Sequence, residues 1–204
     1  DAVLLPGLVN AHTHLDLTDI GPRPHDPRQG FMPWIDMVRR ERPTDDAAIA
    51  AAVRRGASLC LAGGTAAVGD IAGAPRATPS TVPYRTLAEA RISSVSYLEY
   101  FAIGDGLQRG IDAITHAASL AGTSGSVPRL GSTRLGLQPH APNTVSVRGY
   151  EHALALARSL GDSFRRTPIC THLAETPEER EFIAHARGPQ RTLLETLGLW
   201  NDAV

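Results

Sequence analysis

Leu5-Pro6-Gly7-Leu8-Val9-Asn10-Ala11-His12-Thr13-His14-Leu15 decides how the rest of this chain is read. Apolar residues run from Val3 to Leu5 and resume at Leu8-Val9, the pattern of a buried strand that ends in two histidines one residue apart. Side chains alternate faces on an extended backbone, so His12 and His14 share one face and Thr13 takes the other. Two imidazoles on one rigid face can grip a single metal ion, and neutral imidazole suits zinc, iron or nickel. The plainer alternative, a chance pair of surface histidines, fits poorly with so apolar a lead-in.

Composition bounds the possibilities. The chain has 204 residues and a formal net charge of −1, so nothing points to nucleic acid or an anionic membrane as partner. No apolar run approaches the ~20 residues of a membrane span, and no signal peptide is visible. The first residue is Asp rather than Met, which leaves room for an N-terminus further upstream. Cys60 and Cys170 are too few for a disulfide framework and read as reduced thiols, with a cytoplasmic location as the expectation. All 20 residues in the Lys+Arg count are arginine; there is no lysine.

Further along, Asp16 to Gly30 is rich in proline, glycine and charge and reads as an ordered loop. Phe31, Trp34, Ile35 and Val38 at helical spacing predict a helix ending in the basic turn Arg39 to Arg42. A second helix, capped by Thr44 and opening on Asp45-Asp46, runs to Gly63-Gly64. Strands follow at Thr65 to Asp70, Arg91 to Phe101, Leu135 to Gln138 and Pro168 to Leu173. Between them, Ala72 to Thr86 reads as a connection with a short helix near Thr78, Ile111 to Leu120 as a helix and Ala121 to Gly131 as a loop. Val147 to Leu160 is a helix, and Glu178 to Trp200 is helical with a break at Gly188-Pro189. Strands alternating with helices predict βαβ units and a parallel sheet.

The strand ends carry the polar chemistry. They hold His12 and His14, then Asp70, Glu99, His140 and finally His172, so three of five strand ends bring histidine from a total of 8 in the chain. His25, His116, His152 and His185 fall on loops or helices and read as solvated.

Pro6 to Leu15 resembles the first-strand signature of the amidohydrolase superfamily, metal-dependent hydrolases on a (β/α)8 barrel. His172-Leu173-Ala174-Glu175 resembles the fifth-strand H-x-x-E of its deaminase branch, and Pro139-His140-Ala141-Pro142-Asn143-Thr144-Val145-Ser146 the fourth-strand P-H-x-P-x-T-V-S. The resemblance implies an α/β fold, a partial TIM-type (β/α)8 barrel of which the five strands here are the first five βα units. Ligand-binding residues of such a barrel gather at the C-terminal strand ends. It implies one divalent metal ion, zinc before iron, held by His12, His14 and His172, with Glu175 as the catalytic proton carrier. His140 is then the substrate contact. Without the resemblance, Glu175 is a helix-start carboxylate with Glu178 and Glu179 as a solvated face beyond it, and His140 is a turn histidine held by its prolines. Trp34 either stacks on a heteroaromatic substrate or packs with Phe31 and Val38 in a helix core. Glu99 could hydrogen-bond substrate hydroxyls. Binuclear members of the superfamily bridge two metals through a carboxylated lysine, which this lysine-free chain cannot supply, so a mononuclear site is expected.

The implied reaction is hydrolytic deamination of a small amino-heterocycle or nucleoside-like substrate by water activated at the metal. Relatives of the S-adenosylhomocysteine, methylthioadenosine, guanine and aminofutalosine deaminase type share these motifs. Two alternatives stay open: a same-branch hydrolase with another leaving group, of imidazolonepropionase or chlorohydrolase type, and a noncatalytic metal-binding half-barrel. The family also places a histidine on a sixth strand and a metal-binding aspartate on an eighth, which lie beyond these residues. Residues 1–204 are therefore expected to be the incomplete N-terminal portion of a barrel domain. Such a piece should be inactive alone and, through its uncovered strand edges, inclined to form homo-oligomers.

Overall fold

The computed structural model describes residues 2–24, 26–121, 129–130, 132–161 and 166–201. His25 and most of the predicted Ala121 to Gly131 loop lie outside the described residues.

Four parallel strands form the framework: β1 (Leu8–Thr13), β2 (Thr65–Ala72), β3 (Ser93–Tyr100) and, after a two-residue β4 (Arg129–Leu130), β5 (Thr133–Pro139). They lie side by side as β1-β2-β3-β5, and β4 pairs antiparallel with the start of β5. Helices separate the strands in sequence: α1 (Met32–Glu41) and α2 (Asp46–Ala62) before β2, α3 (Val82–Glu89) before β3, and α4 (Leu107–Ala121) before β4 and β5. After β5 come α5 (Val147–Leu160), α6 (Pro177–His185) and α7 (Pro189–Thr196).

Packing explains this order. Ile49, Val53 and Ala57 of α2, with Leu87 of α3, are buried with Val68 of β2 and with Leu15 and Ile92. A larger core joins Leu98 and Tyr100 of β3 and Leu135 and Leu137 of β5 to Ile114 of α4 and Ala153 of α5. The buried Tyr100 hydroxyl donates to the Gly149 carbonyl at 2.8 Å, so the ring's polar end is satisfied inside the core. α6 and α7 close a small third cluster of Ile103, Phe182 and Leu194.

Four expectations need correction. Val3, Leu4, Leu5, Leu8 and Val9 are 65–98% exposed, so the first strand is not buried: among the described residues β1 is paired on one edge only, by β2. The fifth strand is reduced to one bridge, Ile169 opposite Leu137, extended by bonds from Leu137 N to Pro168 O and from Cys170 N to Leu137 O. The second helix is capped by Asp45, whose carboxylate accepts the Ala48 N–H at 2.9 Å, rather than by Thr44. Last, α3 occupies the end of a stretch that reads as connection. Its start has no side-chain cap, but Pro83 in its first turn suits a helix start.

Candidate metal centre

The parallel sheet delivers its strand ends to one place. His12 and His14 lie at the end of β1, and their ring centroids are 5.0 and 5.5 Å from that of His172, which follows the Ile169 bridge. Nitrogens of the three imidazoles all lie within 4.8 Å of one another. Glycine makes the first strand's approach achievable, because a Cβ at Gly69 of β2 would collide with the Ala11 carbonyl beside His12. Asp70, at the end of β2, then accepts the Leu15 N–H at 2.9 Å and fixes the backbone just after His14.

Hydrogen bonds prepare the rings as ligands. His172 is buried, and its Nδ1 lies 3.1 Å from the His140 carbonyl and 3.2 Å from the Gln138 amide nitrogen. The carbonyl can only accept, so a proton on Nδ1 goes to it and leaves the Nε2 lone pair for a cation. His140 in turn faces Thr144 Oγ1 at 2.7 Å, and that hydroxyl donates to the Ala141 carbonyl at 3.2 Å. Thr144 therefore accepts from His140 Nδ1–H, and the lone pair of His140 sits on Nε2.

The electrostatics favour neutral, cation-ready imidazoles. Burial, with His172, His12 and Arg42 nearby, holds His14 down at about 4 despite the opposing charge of Glu99. Burial likewise lowers His140 to about 4. His12 is lowered by partial desolvation and by His172, while the carboxylates of Glu175 and Glu99 pull the other way. Nδ1 of His14 is buried and has no hydrogen-bond partner among the described residues, a costly state that a bound cation would relieve. This donor set fits a divalent metal with nitrogen ligands.

Beneath the imidazoles lies a buried charge cluster only partly visible in the sequence. Arg42 Nε is 3.2 Å from Asp16 Oδ2, and Arg42 Nη1 is 3.7 Å from Glu99 Oε2. The cluster is tight: a Cβ at Gly73 would come within 2.6 Å of Asp16 Oδ2 and 2.7 Å of Arg42 Nη2. Burial raises Asp16 to about 6 even though Arg42 pulls it down, and burial raises Asp70 to about 8. Burial would also raise Glu99, but His140, Arg42, His14 and His172 outweigh it and its pKa is lowered. Glu99, His140 and His172 make a second potential ligand set. It shares His172, whose one free nitrogen can serve only one ion, so the two sets cannot both be filled at once.

Other residues stand differently from their sequence reading. Glu175 is exposed, on a turn where Ala174 has φ 58°. Glu179 is buried rather than part of a solvated face. Trp34 stacks on Phe31 at 5.0 Å and lines a pocket of about 410 Å³ with Leu17, Ile20, Arg23 and Met37; no imidazole is among the residues lining it. His116 and His185 are exposed as expected, whereas His152 is half-buried against Thr115 at 2.9 Å. The arginines at 39 and 40 are exposed, and only Arg42 of that basic turn reaches the centre.

Comparison with known proteins agrees with this geometry. Residues 3–201 match the amidohydrolase family. An aminodeoxyfutalosine deaminase of Deinococcus radiodurans is 32% identical over 193 residues, covering 92% of this chain and 40% of that protein. The Helicobacter pylori aminofutalosine deaminase, solved with methylthio-coformycin, superposes with a TM-score of 0.71 at 20% identity, over 98% of this chain and 44% of that one. Atrazine chlorohydrolase from Arthrobacter aurescens, solved with zinc, gives a TM-score of 0.63 at 18% identity, over 98% and 48%. The chain thus spans less than half the length of these relatives. The shared fold is the (β/α)8 barrel type, present here in part. Among the described residues no helix is long and apolar enough to cross a membrane.

Proposed function

Because the chain belongs to the amidohydrolase family, whose members are metal-dependent hydrolases, we propose that it carries the metal-binding half of a hydrolytic deaminase acting on a small amino-heterocycle or nucleoside-like substrate. One observation carries the reading: the imidazoles of His12, His14 and His172 converge, one of them with an orphaned buried nitrogen, beside a carboxylate whose charge is felt at His12.

His12, His14 and His172 would hold one divalent ion, with zinc the first choice and iron the second. When bound, that ion polarises water and brings its pKa toward neutrality. Glu175 accepts the proton that the attacking water loses and passes it to the ring nitrogen next to the carbon under attack. Water adds to that carbon, the C–N bond breaks, and the amino group leaves as ammonia with a second proton. His140, with its lone pair on Nε2, contacts the substrate, and Glu99 keeps a negative charge among the imidazoles.

The Deinococcus relative supports an amino-substituted substrate of the aminodeoxyfutalosine kind, and the chlorohydrolase neighbour supports chloride as the competing leaving group. The test is ammonia release from aminodeoxyfutalosine and amino-purine nucleosides, beside chloride release from atrazine, by the longest in-frame protein that contains this chain. Ammonia release that falls roughly 10²- to 10⁴-fold in Glu175→Gln, with metal retained, is expected. Chloride release instead, or metal binding with no turnover of either kind, refutes the deaminase reading.

A further inference from the structure

We infer that Glu179 is a positioning residue that sets the catalytic geometry of Glu175. The inference rests on the role proposed above for Glu175.

Glu179 is 3% exposed, an unusual place for a glutamate in the first turn of a helix, where its neighbour Glu178 is only half-buried. Its two carboxylate oxygens are divided between successive amides: Oε1 accepts the Ala174 N–H at 3.0 Å and Oε2 the Glu175 N–H at 2.7 Å. The helix N-cap, Thr176, returns the favour by accepting the Glu179 N–H at 3.1 Å. An ordinary capping box sends the glutamate back to the N-cap amide. Here the carboxylate reaches past the cap to two of the three residues that link His172 to it.

The backbone there needs holding. Ala174 has φ 58°, a left-handed conformation that a residue with a Cβ adopts only under strain. That turn aims two consecutive N–H groups at one carboxylate, and charge-assisted bonds of this kind are about twice as strong as neutral ones. Glu175 itself is exposed, and its only hydrogen bond among the described residues is the one its amide gives to Glu179. The backbone that carries the Glu175 side chain is therefore held by the buried carboxylate four residues on.

The experiment is a double-mutant cycle, Glu175→Gln, Glu179→Gln and both together, in the longest in-frame protein that contains this chain, loaded with zinc. Glutamine keeps the size but offers one acceptor and two donors to a pair of N–H groups. Glu179→Gln should lower kcat about 10- to 100-fold, the scale of a small misplacement of a catalytic group. KM should stay within about threefold and zinc content should not change, since neither substrate contacts nor ligands are touched. In the Glu175→Gln background the same change should cost less than about twofold, because a residue acting only through Glu175 has nothing left to position. An additive loss, a loss expressed in KM or zinc content, or an unchanged kcat overturns the inference. Hydrogen exchange on the unmutated protein needs no variant to fold: the amides of Ala174 and Glu175 should be protected, and free exchange at both also overturns it. If Glu175→Gln alone keeps full turnover, the proposed function fails instead, and the exchange result still reports on the Glu179 bonds.

Discussion

His172 Nδ1 lies 3.1 Å from the main-chain carbonyl of His140, so the fourth strand end hands the fifth its tautomer. The Gln138 amide nitrogen, 3.2 Å from the same Nδ1, competes for it and could donate to an unprotonated ring. A cation on Nε2 decides between them, because it requires the proton on Nδ1. Nitrogen-15 spectra of the histidines should therefore show His172 with Nδ1–H in the zinc-loaded protein. A loaded protein whose His172 still carries Nε2–H contradicts this arrangement.

Arg42 pairs with two carboxylates that are nearly out of reach of water, Asp16 and Glu99. Removing one partner of a buried ion pair typically costs about 3–5 kcal/mol, since a buried charge is left uncompensated. Arg42→Met should destabilise the protein by that order in urea unfolding near neutral pH. Adding Asp16→Asn should return a substantial part. A loss below about 1 kcal/mol, the scale of an exposed pair, would mean that the cluster is solvated.

The pH dependence of the metal-free chain has two limbs of opposite sign. Folded His14 and His140 stay neutral down to about 4, whereas ordinary imidazole protonates at 6.5. The unfolded state thus binds more protons in that window, and stability falls as pH drops from about 6.5 to about 4. Asp70 works the other way: raised from 3.8 to about 8, it holds a proton that the unfolded chain has released, so its contribution is lost as pH rises through that range. Thermal midpoints from pH 4 to 8 should show a flatter acid limb in His140→Asn and a flatter alkaline limb in Asp70→Asn. Parallel curves for all three proteins would contradict the burial of these groups.

How much of this was legible in the sequence depends on the range of the interaction. Elements driven by local signals were readable: α5 begins and ends where its apolar spacing predicts, and Gly63 ends α2. The convergence of His12, His14, His140 and His172 was readable too, because parallel strands deliver their ends to one side and the period of two fixes which residues face it. What depends on distant partners was not. Arg42 looks like one more basic residue in a solvated turn until Asp16 and Glu99 meet it from two other segments. Glu179 looks like a helix-start acid, and only the left-handed Ala174 turns two amides onto it. Burial of β1 is likewise a tertiary property, and its apolar composition alone could not decide it.

That uncovered first strand has a consequence in solution. Leu8 and Val9 are 65% and 70% exposed on a strand with one paired edge among the described residues, and Val3 to Leu5 extend the apolar surface. Such an edge is a template for association. Sedimentation velocity on the 204-residue chain should show species larger than a monomer at about 50 µM, with Val9→Lys shifting the distribution down. A single monomeric boundary for the unmutated chain would show the edge to be harmless.

The most direct test of the central claim is anomalous diffraction at the zinc edge from crystals of zinc-loaded protein. The account predicts one peak per chain with a ring nitrogen of each of His12, His14 and His172 at roughly 2.0–2.1 Å. A peak that omits any one of the three, or zinc bound elsewhere with these imidazoles left free, would contradict it.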